Sequence, residues 1–295
     1  MRVETPLSVH GCYDVVTKCG TTYVITPYTT PLQVESATEI VHPEHRHVRV
    51  YTVPGRRATI NGTTVEAREY HVSTCKLAFT TMERASAQFV PAWCAYHRQL
   101  GADFFFIYDN NSSEEEFAAL VEAAKPFPGI VFRWNYPFVY GDCTQAGQQT
   151  HSICISKHSV QRLGLTDLDE YLVVESGSLN ELLQPPLTRI FWKWFGQGGI
   201  VSLDPRDYTR STRAREGLWY CKAIVDPLRV DIGLIHNAWG KSGVPDTVSS
   251  NASFHHYRGL TNNAGRDCDM NNHDNCPYCE VENTRLVQCW ERRAE

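Results

Sequence analysis

An acidic pair interrupts the apolar run Leu163-Gly164-Leu165-Thr166-Asp167-Leu168-Asp169-Glu170-Tyr171-Leu172-Val173-Val174. Successive side chains of a strand point to opposite faces, so a strand here would project Asp167 and Asp169 together. Two like charges side by side repel one another unless a cation lies between them. At the carboxyl edge of a strand, a hard divalent ion with oxygen ligands suits that position and can also bind phosphate oxygens. The pair therefore predicts a divalent-metal site that also takes phosphate.

Strands and helices alternate on the amino-terminal side of this run. We predict, in chain order, strand 76–80, helix 87–100, strand 104–108, a helix from 114 that stops before Pro126, strand 130–134 and helix 145–161. Such alternation predicts an α/β fold, a Rossmann-like and mostly parallel sheet flanked by helices. Ligands of such sheets bind beyond the carboxyl ends of the strands, where Thr80, Thr81, Asp109 and the acidic pair would gather.

The composition changes at both ends of this region. Residues 1–72 are rich in Thr, Val and Tyr, and Asn61-Gly62 is a strong hairpin signal, so we expect a small β-rich amino-terminal extension. The main domain would span 73–260, and 261–295 would form a Cys-rich tail. That tail contains Cys276-Pro277-Tyr278-Cys279 with His273 nearby, which is compatible with a structural Zn²⁺ site; disulfides or free thiols are the alternatives.

Charge and hydropathy narrow the classes of partner. The net charge is −5, and no dense Lys/Arg stripe is present, which argues against nucleic acid as the main partner. No stretch approaches the roughly 20 apolar residues of a membrane span, and the first residues lack the order of a signal peptide. We therefore expect a cytoplasmic protein without a transmembrane segment, or a protein of the Golgi lumen if the chain is part of a longer one.

Several ordered motifs resemble glycosyltransferase family 92. The segment 89–112 carries the family's pattern of Trp93, Tyr96-His97, Leu100-Gly101 and Tyr108-Asp109-Asn110-Asn111-Ser112, and Asp167-Leu168-Asp169-Glu170-Tyr171-Leu172 resembles its Asp-x-Asp-Glu-Phe segment. Further likenesses follow in the family's order at 194–199, 222–227, 235–239 and 256–258. The resemblance covers roughly residues 75–260, and an ordered set of motifs is far more specific than any one of them.

The resemblance implies a GT-A fold and an enzyme, an inverting, metal-dependent transferase that moves a sugar from a UDP-sugar to a glycan acceptor. Galactose is the family's usual donor sugar; another hexose, or a pentose such as xylose, stays open. The chain departs from the family at Arg84-Ala85-Ser86, where Lys-Asn-Glu is usual. Two alternatives therefore stay open: a non-catalytic sugar- or nucleotide-binding protein on the same fold, and a metal-dependent phosphohydrolase.

The resemblance also implies roles for individual residues. Mn²⁺ or Mg²⁺ is expected on Asp169, with Asp167 on the ribose or a metal-bound water, and with a histidine ligand from His256 or, less favoured, His236. Donor contacts are expected from Thr80, Thr81, Arg84, Asp109, Asp167 and Arg258. The turn containing Gly196, Gly198 and Gly199 would approach the acceptor. Inversion needs a general base, for which Asp207, Asp204 and then Glu175 are the candidates.

Overall fold

The computed structural model describes residues 1–44, 46–136, 142–194, 210–211, 221–240, 244–257 and 281–282. The strands are β1 Arg2–Glu4, β2 Asp14–Lys18, β3 Thr21–Pro27, β4 Thr38–Val41, β5 Val48–Pro54, β6 Arg57–Ile60, β7 Thr63–Glu66, β8 Cys75–Glu83, β9 Phe104–Asp109, β10 Gly129–Arg133, β11 Val160–Leu165, β12 Glu170–Val174, β13 Leu187–Trp194, β14 Arg210–Ser211, β15 Cys221–Val225, β16 Val230–Leu234, β17 Asn237–Gly240, β18 Asp246–His256 and β19 Val281–Glu282. The helices are α1 Val90–Leu100, preceded by a 3-10 turn at Ala87–Phe89, α2 Glu114–Ala124, α3 Asp142–Ser156 and α4 Leu179–Leu182.

A nine-stranded sheet organises the chain in the order β1-β10-β9-β8-β11-β15-β13-β18-β12. The first five strands in this order are parallel to one another, whereas β15 is antiparallel to both β11 and β13, and β12 is antiparallel to β18. Every residue of β9 is buried, as expected for an apolar strand of a parallel sheet that is covered on both faces. The predicted α/β class with a mostly parallel sheet is confirmed.

Helices cover both faces of this sheet. Helices α1 and α2 pack on the face that carries Phe79 and Phe105, and α3 packs on the face that carries Phe106 and Tyr108. Helix α2 begins at a capping box, because Ser113 accepts a hydrogen bond from the Glu116 amide while the Glu116 carboxylate accepts one from Ser113. The acids predicted to begin this helix therefore lie in its first turn, where the helix dipole favours them.

The amino-terminal region forms a four-stranded antiparallel sheet in the order β2-β3-β5-β4, followed by the β6–β7 hairpin. Asn61 and Gly62 at the hairpin tip have φ of 49° and 78°, the left-handed values that this turn requires, so the predicted hairpin is confirmed. The sheet packs directly on α3, where a Cβ added to Gly147 would lie 2.4 Å from the Tyr13 ring. In addition, β1 pairs with β10 as an edge strand of the large sheet, so the extension also contributes to the main sheet.

Two predicted elements are wrong at their ends. The helix predicted over 145–161 ends at Ser156, since His158 adopts φ 63° and the chain then enters β11.

Asp167 and Asp169 do not lie within a strand. Strand β11 ends at Leu165 and β12 begins at Glu170, and the acidic pair lies in the tight connection between them. The alternation of side chains along a strand therefore does not set the directions of these two carboxylates.

A buried polar network joins the amino-terminal sheet to α3. Asp14 accepts hydrogen bonds from the Leu7 and Val15 amides at 2.8 Å, from Tyr70 Oη at 2.7 Å and from His151 Nε2 at 2.9 Å. Both Asp14 and His151 are fully buried. A buried carboxylate is tolerated only when its lone pairs are satisfied, and four donors satisfy this one.

Among the helices described, none is both long and apolar enough to cross a membrane.

Candidate active site

Asp169 and His256 meet at the carboxyl edge of the large sheet. Strand β18 ends at His256 and pairs with β12 so that His256 lies opposite Glu170, the residue after Asp169. This register brings His256 Nε2 to 3.4 Å from Asp169 Oδ2, and both side chains are largely buried. An additional hydrogen bond from the Tyr257 amide to the Asp169 carbonyl, 2.8 Å long, ties the two strands together at this point. The favoured metal ligands of the sequence analysis are therefore neighbours in space.

Asp167 has different partners. The Lys222 ammonium donates to Asp167 Oδ2 at 2.8 Å, and the Gln145 amide donates to Oδ1. The connection between β11 and β12, residues 166–169, is called the acidic turn. Lys222 reaches this turn because β15 runs antiparallel to β11 with Ala223 opposite Leu165. The two aspartates thus have separate partners, a lysine for Asp167 and a histidine for Asp169.

The buried side chain of Glu170 stabilises the acidic turn. Its carboxylate accepts a hydrogen bond from the Asp167 amide at 2.8 Å and lies 3.8 Å from the Lys222 ammonium. The side chain is fully buried, and burial raises the pKa of Glu170 against the opposing effect of Lys222. This side-chain contact to the backbone three residues earlier stabilises a turn where the apolar pattern predicts a continuous strand.

Neighbouring carboxylates raise the pKa of both cationic groups at the turn. Burial alone would lower the pKa of His256, but Asp169 and then Glu170 and Asp167 outweigh it and raise that pKa. Burial would likewise lower the pKa of Lys222, and Asp167 and Glu170 raise it overall. A metal ion bound at His256 would have to displace its proton, so metal affinity at this site would fall as the pH falls.

Helix α1 holds the strand that follows the turn. Trp93 Nε1 donates to the Glu170 carbonyl at 3.0 Å, and Tyr96 Oη donates to the Leu172 carbonyl at 2.7 Å. His97 packs between these aromatic rings, and burial lowers the pKa of His97 to about 3, which keeps its ring neutral. Trp93, Tyr96 and His97 therefore lie in the core and hold the start of β12, directly after the acidic turn.

The described residues offer few side-chain donors for a divalent ion. Within the part of the chain that the structure describes, no group of three or more His, Cys, Asp or Glu side chains is arranged to hold a metal. Asp169 and His256 form a two-residue set of oxygen and nitrogen donors. Mg²⁺ is typically bound by one or two carboxylates, several waters and substrate phosphates, and imidazole beside carboxylate suits Mn²⁺. The pair fits an ion whose remaining ligands come from water and a diphosphate.

Both candidate histidines pack against Trp192. The ring centroid of Trp192 lies 4.9 Å from that of His256 and 5.1 Å from that of His236, in edge-on contacts. The direct approach to Asp169 favours His256 as the ligand. The role of His236 stays a prediction.

The other donor-site candidates lie at the ends of β8 and β9. Thr80 is buried and accepts a hydrogen bond from the Gln148 amide at 2.6 Å, whereas Thr81 Oγ1 is buried without a hydrogen-bond partner among the described residues. Arg84 follows β8 and is exposed. Asp109 ends β9 and is fully buried, with Arg133 Nη1 at 3.4 Å from its Oδ2 and the Ser112 amide at 3.3 Å from its Oδ1.

Asp109 therefore shapes the loop that follows it. Ser113, rather than Asn111 or Ser112, caps α2, so Asp109 is not the helix cap. Arg133 donates to the Ser112 carbonyl at 3.0 Å and stacks over the Phe117 ring at 4.3 Å, which fixes the loop from below. A direct contact from Asp109 to a nucleotide stays a prediction, and the buried carboxylate would have to leave Arg133 to make one.

The segment that departs from the family is backbone-strained. Ala85 has φ 53°, a left-handed conformation that asparagine adopts more readily than alanine. Its amide donates to Ser112 Oγ at 3.1 Å, so this conformation connects the β8 loop to the β9 loop. Asparagine, which is usual in the family, would suit this backbone better than the alanine that is present.

The buried carboxyl of Glu83, beside this loop, makes the unfolding free energy depend on pH. Burial raises the pKa of Glu83 to about 7, despite a hydrogen bond from the Ser86 amide. The folded protein therefore favours the protonated carboxyl of Glu83. The unfolding free energy that this preference contributes is present below pH 4.5 and is lost as the pH rises through 7. We expect Glu83→Gln to reduce the fall in unfolding free energy between pH 5 and 8 by on the order of 2 kcal/mol.

Urea unfolding at a series of pH values measures that slope. The exposed Glu122, which pairs with Lys125, is the control, and Glu122→Gln should leave the slope unchanged. Equal slopes in the wild type and Glu83→Gln would contradict the prediction.

Other predicted residues lie away from the acidic turn or outside the described residues. Glu175 follows β12 at its far end, about 16 Å along the strand from Glu170, and its carboxylate binds Ser253 Oγ at 2.6 Å and Lys193. A base must reach the reacting hydroxyl, and Glu175 lies far along the strand from the acidic turn, so its role as the base stays a prediction. Six predicted residues and the proposed zinc ligands lie outside the described residues: Gly196, Gly198, Gly199, Asp204, Asp207, Arg258, and the tail containing His273, Cys276 and Cys279.

Comparisons with known proteins identify the class of this region. Residues 74–186 match the family model described as Glycosyltransferase family 92. A glycosyltransferase family 92 protein of Ricinus communis is 28% identical over 102 residues, which cover 35% of this chain and 18% of that protein. Another, from Oryza sativa subsp. japonica, is 31% identical over 94 residues, 31% of this chain and 15% of that protein. The chain thus matches less than a fifth of the length of these curated relatives.

The predicted resemblance is confirmed for residues 74–186, which carry a glycosyltransferase family 92 region. This range contains α1, the Asp109 loop and the acidic turn. It ends before Lys222, His236 and His256, so the likeness predicted for the later segments stays a prediction.

Solved structures give more distant matches. Glucosyl-3-phosphoglycerate synthase from Mycobacterium tuberculosis, in complex with Mn²⁺, uridine diphosphate and glucosyl-3-phosphoglycerate, has a TM-score of 0.31 at 10% identity, covering 52% of this chain and 57% of that chain. The bifunctional glycosyltransferase WbbM has a TM-score of 0.27 at 11% identity, covering 48% and 26%. Scores this low carry no argument about the site.

Proposed function

We propose that this protein is an inverting, metal-dependent glycosyltransferase of the GT-A type that moves a sugar from a UDP-sugar to a glycan acceptor. The observation that carries the proposal is the contact of Asp169 with His256, 3.4 Å apart beside Asp167 at the carboxyl edge of a largely parallel sheet. The acidic turn lies inside the family 92 region, which supports a donor site at this place. Galactose, another hexose and a pentose are all compatible with the residues described.

The chemistry of the donor explains why these residues would be needed. A sugar bound to a diphosphate reacts slowly unless the charge that develops on the leaving phosphate is stabilised. A divalent ion, when bound, supplies that stabilisation. Asp169 and His256 would hold the ion, and Asp167, held by Lys222 and Gln145, would accept a hydrogen bond from the ribose or from a water on the ion. Asp204 and Asp207 are the favoured base candidates for the acceptor hydroxyl.

A second candidate function rests on the loop after β8. Arg84-Ala85-Ser86 replaces the family's usual Lys-Asn-Glu, and Ala85 adopts a strained left-handed conformation there. A protein that has lost a donor contact in this loop would bind a sugar nucleotide without transferring the sugar. This candidate is a non-catalytic binding protein on the same fold.

One assay separates the candidates. The protein is incubated with Mn²⁺ and a panel of nucleotide-sugars, and thermal stabilisation and nucleotide release are followed with and without glycan acceptors. We expect stabilisation by UDP-sugars that requires the metal, because a ligand that binds only the folded state raises the unfolding temperature. Acceptor-dependent UDP release supports the transferase. Binding without transfer favours the binding protein, phosphate release from simple esters favours a phosphohydrolase, and failure to bind any UDP-sugar contradicts the proposal.

A further inference from the structure

Lys222 is a buried cation within the acidic turn. Its side chain is 1% exposed, its ammonium is 2.8 Å from Asp167 Oδ2 and 3.8 Å from Glu170 Oε2, and it also lies 5.7 Å from the centroid of the Trp192 ring. Asp167 is more open, with a side chain that is 29% exposed. The ion pair therefore extends from the core of the sheet to the surface of the proposed donor site.

Stability alone is a weak reason for a lysine at this position. Removing an ammonium from water costs several kcal/mol, and well-packed apolar residues often replace a buried ion pair without loss of stability. A buried ion pair that adds little stability is explained when its geometry positions a group in a binding site. The contact links Asp167 to β15, a strand that reaches the turn from 55 residues further along the chain.

The contacts of Asp167 indicate what this geometry achieves. Each of its oxygens already accepts one hydrogen bond, from Lys222 or from Gln145. A carboxylate has about four lone-pair positions, so about two remain available for further donors. Lys222 neutralises Asp167 and Gln145 fixes its second oxygen, whereas the partner of Asp169 is His256.

We propose that Lys222 is a positioning residue: its buried ammonium holds Asp167 as a hydrogen-bond acceptor for the donor and leaves Asp169 and His256 as the protein ligands of the divalent ion. This inference rests on the proposed function, because it assigns roles at the same donor site. Without the ammonium, Asp167 would carry an unpaired charge beside Asp169. It would then turn away from its present position, and the geometry for the nucleotide would be lost.

The test measures binding rather than turnover. Mn²⁺ affinity is followed by electron paramagnetic resonance, and UDP affinity in the presence of Mn²⁺ is followed by calorimetry, for the wild type, Lys222→Met and Lys222→Arg. We expect Lys222→Met to weaken UDP affinity about 10- to 100-fold, the effect of losing one hydrogen bond to a charged acceptor. Lys222→Arg keeps the positive charge and should recover most of that loss.

Two further variants keep the inference testable. Lys157 is also a buried lysine, held by the carbonyls of Pro227 and Val230 and by Asp231, and it lies on the α3 side of the sheet. Lys157→Met should lower the unfolding temperature but leave UDP affinity within about twofold. The double variant Asp167→Asn/Lys222→Met removes both charges, and it should lose no more affinity than Lys222→Met alone, since both changes break one contact.

The outcomes distinguish the two proposals. If the wild type binds no UDP in the presence of Mn²⁺, the proposed function fails. If the wild type binds but Lys222→Met binds equally well, the inference about Lys222 is wrong while the proposed function stands. A loss of affinity in the double variant that clearly exceeds the loss in Lys222→Met alone would also overturn the inference.

Discussion

Asp169→Asn is expected to lower the rate of sugar transfer by about 100- to 1,000-fold, the effect of removing one preorganised group that stabilises transition-state charge. The change removes the charge that faces His256 Nε2 at 3.4 Å but leaves the size of the side chain nearly unchanged. An amide is a weaker ligand than a carboxylate for a hard divalent ion. Initial rates of acceptor-dependent UDP release, at saturating Mn²⁺, measure the effect.

The fold should survive this substitution, so the loss can be assigned to the site. The matched control is Asp246→Asn, which alters a partly exposed ion pair with Arg189 at the start of β18. Surface ion pairs contribute little, and this control should keep its rate within about twofold. A rate for Asp169→Asn close to that of the control would show that the carboxylate does not hold the ion.

Asp14→Ala is expected to have the largest effect on stability, a loss of about 3–5 kcal/mol of unfolding free energy. Four donors, including Tyr70 Oη and His151 Nε2, lose their common acceptor inside the core. His151 also contacts Tyr108 Oη at 2.7 Å, so the change disturbs the junction between the amino-terminal sheet, α3 and β9. Urea unfolding followed by circular dichroism measures the loss.

Asp103→Ala is the control for this prediction. Asp103 is exposed and accepts hydrogen bonds from the Lys76 and Leu77 amides, so it serves a similar chemical purpose at the surface. Its removal should cost about 1 kcal/mol, because water can replace the lost acceptor. An equally small loss for Asp14→Ala would mean that the network does not couple the two sheets.

The sequence was sufficient for the central strands and for placing the acidic pair at the carboxyl edge of the sheet. The run at Phe104–Asp109 is apolar over nearly its whole length, and only a strand covered on both faces accounts for that pattern. The proximity of Asp169 and His256 followed the expectation from the family resemblance. Both features depend on local pattern or on an ordered set of motifs.

The details of the site depend on long-range pairing, which local patterns do not encode. Lys222 reaches Asp167 only because β15 joins the sheet antiparallel to β11, and nothing in the run 221–225 indicates that partner. The same reason explains why β1, at the amino terminus, was not predicted as an edge strand of the large sheet. The position of the acidic pair in a turn depends on Glu170, whose carboxylate binds the Asp167 amide.

The distance of Glu175 from the acidic turn has a similar origin. Glu175 is only five residues after Glu170 in sequence, but an extended strand carries it to the far end of β12, where Lys193 and Ser253 bind it. Two residues that are close in sequence can still lie far apart in space when an extended strand separates them.

Calorimetric titration of UDP, with and without Mn²⁺, tests most directly whether the acidic turn is a metal-dependent donor site. The wild type should bind UDP measurably only when Mn²⁺ is present, and Asp169→Asn should abolish the dependence on the metal while its unfolding temperature stays close to that of the wild type. Equal affinity with and without Mn²⁺, or undiminished metal-dependent binding by Asp169→Asn, would contradict this account.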